Sequence, residues 1–150
     1  MTAQDILARN RVILCHFDSY STALVFPRWE SKSMLWPAPL PEGAQPMAAP
    51  AEVGPEHSPG AVTKALVEQT GLNPDDLVYL DAFNHWAQTD AGPVRIHLLR
   101  FDTFEAPKPA IGELGGSFKA ISELRGGTMS ELVLLREVFN LIIGAGGGRA

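Results

Sequence analysis

The sequence is poor in cysteine, with Cys15 alone among 150 residues. One thiol excludes an intrachain disulfide and a cysteine-rich zinc site. Cys15 lies in the apolar run Val12-Ile13-Leu14-Cys15 and reads as a small buried hydrophobe. Nothing therefore points to an oxidising compartment. The chain also lacks any stretch approaching the ~20 apolar residues that cross a bilayer. Asp5, Arg9 and Arg11 interrupt the first residues, which so lack the apolar centre of a signal peptide. The expectation is a cytoplasmic protein with no membrane partner. Dense basic runs are missing too: 12 Lys and Arg stand against 17 Asp and Glu, for a net charge of -5. Proteins that hold nucleic-acid polymers displace counterions with clustered Lys and Arg. A polymeric nucleic acid is therefore not an expected partner, whereas a single nucleotide is compatible. No P-loop, G-x-S-x-G elbow or Rossmann glycine pattern occurs, and no internal repeat.

What is present suits one globular domain over residues 1–150, with 45% hydrophobic and 19% charged residues. Arg11 to Phe17 reads as a strand. Asp18-Ser19-Tyr20-Ser21 then makes a hairpin turn into Thr22 to Phe26, which is expected to stop at Pro27. Met34-Leu35-Trp36 suggests a third strand fragment. Residues 37–59 hold seven of the twelve prolines (37, 39, 41, 46, 50, 55 and 59), so this segment is expected to be a loop, partly extended. A helix follows over Ser58–Gln69. Ser58 is a good N-cap, Pro59 takes the first helical position, and Gly71 supplies the left-handed C-terminal turn. Leu77 to Phe83 and Val94 to Phe101 read as an antiparallel pair, with turn material at Asp90-Ala91-Gly92-Pro93. Residues 115–121 suggest one more short strand. The last element is a helix over Met129–Ile143. Thr128 and Glu131 form its expected capping box, and Leu132, Leu135, Phe139 and Ile142 its apolar face. Gly144 is expected to end it, leaving 144–150 as a frayed tail. Hairpins segregated from two helices argue for an α+β sandwich with a mixed sheet.

The segment from Glu56 to Leu72 carries the chemistry. It resembles the Nudix (MutT-like) box, G-x5-E-x7-R-E-U-x-E-E-x-G-U, where U is bulky and apolar. With the final Gly-U on Gly71-Leu72, Glu56 takes the first glutamate, Lys64 the arginine, Leu66 the apolar position and Glu68 the first glutamate of the pair. Pro50 replaces the leading glycine, Ala65 the glutamate after the arginine, and Gln69 the second glutamate of the pair. Leu40-Pro41-Glu42-Gly43 is similar to the Leu-Pro-Gly-Gly turn of the family. The resemblance implies a Nudix-like α/β/α sandwich in which the box forms a loop and helix.

It also implies hydrolysis of a nucleoside diphosphate linked to another group, with Mg or Mn as cofactor and weak or lost activity. Carboxylates suit hard divalent cations, which acidify water for attack on phosphorus. On this reading Glu56 and Glu68 are the catalytic residues, and Glu68, Glu56 and, weakly, Gln69 hold the metal. Lys64 contacts substrate but lacks the bidentate fork of arginine, so its ion pair with Glu56 is expected to be loose. Positions 65, 68 and 69 are expected to share one helix face, so Ala65→Glu with Gln69→Glu should rebuild the carboxylate cluster without strain. Glu42, Glu52 and His57 are nearby candidates to replace a ligand, and Glu105 and Glu113 candidate acids. Trp86, after His85, either stacks a base or caps the core. His16 and His97 show no metal-ligand spacing. The alternative to the hydrolase is a non-catalytic nucleotide-binding or protein-interaction module on the same fold. Homodimerisation is left open.

Overall fold

The sheet is built around the apolar run Val12-Ile13-Leu14-Cys15. Strand β1 (Asn10–Asp18) is buried over most of its length, as expected of a strand packed on both faces. It pairs in parallel with β7 (Gly92–Phe101), Asn10 lying opposite Arg95 and His16 opposite Phe101. On the other edge of β1 lie β2 (Ala23–Arg28) and β3 (Leu35–Trp36), both antiparallel to it. The computed structural model describes residues 1–124 and 128–147. The remaining strands are β4 (Gln45–Met47), β5 (Leu77–Tyr79), β6 (His85–Thr89) and β8 (Ser117–Ala120). The mixed sheet runs β4-β6-β7-β1-β2-β8, with β3 on β1 and β5 on β7.

Helices cover both faces. Val12 and Leu14 pack on one side with Val62, Ala65 and Leu66 of α2 (Pro59–Thr70), Leu7 of α1 (Ala3–Ala8) and Ile111 of α3 (Lys108–Glu113). Ile13 and Cys15 pack on the other side with Leu134, Leu135 and Val138 of α4 (Met129–Phe139). The strand's period-2 alternation thus feeds two separate cores. This is the expected α+β class, a mixed sheet between helical layers. No helix among the described residues is long and apolar enough to cross a membrane.

Helix α2 follows from its sequence signals. Ser58 Oγ accepts from Ala61 N at 3.2 Å, Pro59 begins the helix, and Gly71 closes it at φ 73°. Val62 and Leu66 are fully buried, and burial of such side chains stabilises by about 1.5–3 kcal/mol each.

Several boundaries differ from expectation. Strand β2 runs through Pro27 to Arg28, because beyond Val25 it pairs only with β8. One free edge tolerates a missing N–H. Strand β5 stops at Tyr79, and the direct hairpin partner of β7 is β6, over His85-Trp86-Ala87-Gln88-Thr89. Strand β4 lies inside the proline-rich loop.

The last helix buries most of its expected face. Leu135 and Ile142 are buried and Leu132 packs against the same core as expected, whereas Phe139 is exposed and Glu131, Leu134 and Val138 are buried as well. Glu131 is held inward. Its carboxylate accepts from Ser33 Oγ at 2.7 Å and Met34 N at 3.1 Å instead of closing the capping box, although Thr128 still caps the helix. Helical turns, of π type, continue over Asn140–Gly147 rather than ending at Gly144, and 148–150 lie outside the described residues. Glu131→Ala is expected to cost about 2–3 kcal/mol in urea denaturation, since it leaves buried donors unpaired. Glu131→Gln, which keeps an acceptor, should cost less.

Candidate functional site

The turn that leads into α2 is tied to the sheet by side chains. Residues Pro55–His57 form one 3-10 turn. Asn10, at the start of β1 and fully buried, donates its amide to Ile6 O at 2.8 Å and Glu56 O at 3.0 Å. Those bonds fix the amide orientation and leave Oδ1 as acceptor. Oδ1 then lies 3.0 Å from His57 Nδ1 and 2.7 Å from His97 Nε2. Both imidazoles must donate to it, so His57 carries its proton on Nδ1 and His97 on Nε2. His97 Nδ1 is left to accept from the Tyr79 hydroxyl. Arg95 Nη1 closes the arrangement by donating to His57 O at 2.9 Å.

Burial sets the charge state of this network. Desolvation, reinforced by Arg95 and His57, pushes His97 down to about 3, so it is neutral near pH 7. Burial lowers His57 as well, with Glu56 opposing and Arg95 assisting. Burial raises the Tyr79 phenol. The two imidazoles and the phenol are neutral near pH 7, and the network positions the turn. Nothing in it is poised to take up a proton near neutrality. Asn10, Tyr79 and Arg95 were not site candidates on the sequence, and His97 was set aside there for want of metal-ligand spacing. The available signal was that Arg95 and His97 alternate with Val94, Ile96 and Leu98 on one strand.

Lys64 and Glu68 are brought together on the outer face of α2. They line an open depression of about 610 Å³ with Pro59, Gly60, Thr63, Val67, Pro74 and Tyr79. The other expected site residues lie elsewhere. The half-buried Glu56 faces Arg9 Nη1 at 3.7 Å, so Arg9 replaces Lys64 as its ionic partner. Its carboxylate also folds over Gly54, where a Cβ would lie 1.9 Å from Oε1. Gln69 Oε1 accepts from Trp36 Nε1 at 3.2 Å. Trp86 is buried, with the His57 ring 4.9 Å away and the Arg95 guanidinium 5.8 Å from its centroid. That is the core-capping alternative, and the ring has no free face for a base. Glu42 and Glu52 are exposed on the proline loop, and Glu113 lies on α3 beside Thr70 and Gly71.

Position 65 departs most from expectation. Ala65 is 2% exposed and packs in the same apolar cluster as Leu7 of α1, while Glu68 and Gln69 face solvent. The three positions do not share an open face, because α1 packs against α2. Among the described residues no group of three His, Cys, Asp or Glu side chains is placed to hold a metal ion. With position 65 apolar and buried and Gln69 engaged by Trp36, the residues present do not fit a Mg or Mn cage. The chain matches no known protein-family profile and no curated protein.

Proposed function

We propose that this chain is a Nudix-like domain that binds a nucleotide or nucleotide derivative without hydrolysing it. The burial of Ala65 carries this reading. The position where the resemblance expects a metal-holding carboxylate belongs to the packing between α1 and α2, so divalent-metal chemistry lacks its central ligand. A depression edged by Thr63 and Lys64 offers a hydroxyl and an ammonium to a phosphate, and Val67, Pro74 and Tyr79 offer apolar surface to the rest of the ligand.

The test is a panel of nucleoside triphosphates, ADP-ribose and dinucleoside polyphosphates, read by melting curves and phosphate release with and without Mn2+. At least one ligand is expected to raise the melting temperature without metal, and Lys64→Ala to abolish the shift. Titration with Mn2+ alone should give binding no tighter than ~0.1–1 mM, given the few charged ligands. Mn2+-dependent turnover at ~1 s-1 or faster, an ordinary enzyme rate, would restore the hydrolase reading. A panel with no thermal shift would remove the nucleotide.

A further inference from the structure

Tyr79 is the one aromatic among the described residues that line the depression on α2. Its placement follows from strand register. Tyr79 of β5 lies opposite Leu99 of β7, so His97, two residues earlier, is its diagonal neighbour on the same face of the sheet. The two rings meet edge to face, with centroids 5.6 Å apart and planes at 65°. The Tyr79 hydroxyl donates to His97 Nδ1, and His97 Nε2 donates to Asn10 Oδ1 at 2.7 Å. His97 and Asn10 are fully buried, whereas Tyr79 is half-buried. A bonded hydroxyl and a packed edge thus hold the ring in one orientation at the wall of the depression.

The depression has a chemical polarity along α2. Thr63 and Lys64 lie nearer the start of the helix, and Glu68 lies one turn beyond Lys64. An ionised carboxylate only accepts hydrogen bonds and repels a phosphate, so a bound phosphate belongs with Thr63 and Lys64. The surface left for the rest of the ligand is Val67, Pro74 and Tyr79, two aliphatic side chains and an aromatic ring. That surface suits a flat apolar ring, and Glu68 can accept from the N–H or O–H groups of a base or sugar. A ring already fixed by the protein loses little further freedom when a ligand stacks on it.

We infer that Tyr79 is the stacking platform for the base of the bound nucleotide, and that His97 and Asn10, buried out of the ligand's reach, position it. The inference rests on the reading of the depression as a nucleotide site and adds a requirement for an aromatic base. Sugar phosphates and bare polyphosphates are then poor occupants.

The test is calorimetric titration of the full chain, without metal, with ATP and GTP against inorganic triphosphate and ribose 5-phosphate. The nucleotides should bind about tenfold tighter than either base-free compound. Tyr79→Leu should weaken nucleotide binding about tenfold and leave triphosphate binding unchanged, a separation that loss of structure alone would not produce. Tyr79→Phe, which keeps the ring and loses its anchor, should cost a smaller factor. His97→Leu should match Tyr79→Phe, whereas His97→Gln, which can donate to Asn10 and accept from Tyr79, should bind as the parent does. Where His97→Leu fails to fold, Tyr79→Phe carries the test of the anchor. Nucleotide binding that ignores Tyr79→Leu, or that is no tighter than triphosphate binding, would overturn the platform and leave the nucleotide site standing. Binding of none of the four compounds would remove the nucleotide reading and the platform with it.

Discussion

Between pH 7.5 and pH 5 the folded chain is expected to lose about 2 kcal/mol of stability through His97 alone. The folded imidazole titrates at about 3 and its unperturbed counterpart at 6.5. Between those values the unfolded chain binds a proton that the folded chain refuses, so stability present above pH 6.5 drains away as the pH falls toward 3. His57 adds to the loss in the same direction, its value being lowered by burial. For a domain of this size the melting temperature should fall by about 4–8 °C. The check is a series of thermal or urea melts from pH 8 to pH 4.5 on the parent and on His97→Gln. The amide can donate to Asn10 and accept from Tyr79 without titrating, so the variant should show a flatter profile even if its stability at pH 7.5 is lower. An equal slope in the two proteins would mean that His97 is hydrated enough to ionise normally.

The network behind that result was invisible in the sequence, and the reason is distance. Asn10 and His97 are 87 residues apart, and only the parallel β1–β7 pairing brings them together. Local signals succeeded where local physics decides. Ser58, Pro59 and Gly71 delimited α2, and the turn after Asp18 set the first hairpin. They failed where a partner decides. His85-Trp86-Ala87-Gln88-Thr89 has no apolar alternation and becomes a strand because β7 lies beside it. The apolar period of the last helix marked Leu135 and Ile142 but not Glu131, which Ser33 and Met34 draw inward. Helix α1 is too short for periodicity, yet Thr2 and Asp5 form a capping box that the sequence did display. Of the candidate site, Lys64 and Glu68 were placed side by side as helical spacing requires. Glu56, Gln69 and Trp86 were claimed by other partners: Arg9, Trp36 and the pair His57 and Arg95.

Ala65→Glu is expected to destabilise the chain by about 3 kcal/mol or more, with a melting temperature lower by about 6–12 °C. Helical spacing alone allowed carboxylates at 65 and 69 without strain. The fold reverses that expectation, because Ala65 is buried among Leu7, Val62 and Leu66 and the new charge has no basic partner in that cluster. Gln69→Glu alone should be nearly neutral, since a carboxylate can accept the Trp36 N–H in place of the amide. The double variant should therefore behave like Ala65→Glu, with no Mn2+-dependent recovery of the melting temperature and no phosphate release. If it instead folds normally and hydrolyses a nucleoside diphosphate derivative with Mn2+, α1 yields to a metal site and the non-catalytic reading is lost.

The parallel pairing of β1 with β7 also bears on how the chain is made. One edge of β1 has its partner in residues 92 to 101. Until those residues have left the ribosome, a nine-residue strand with an apolar centre, Asn10–Asp18, waits with that edge unpaired. Closing a loop of this length costs about 4 kcal/mol in chain entropy, and slow, late closure is the setting in which open strand edges recruit other chains. Nascent chains arrested before Gly92 should consequently be the aggregating and protease-sensitive species. Those arrested beyond the β7 segment and the tunnel should begin to resist proteolysis.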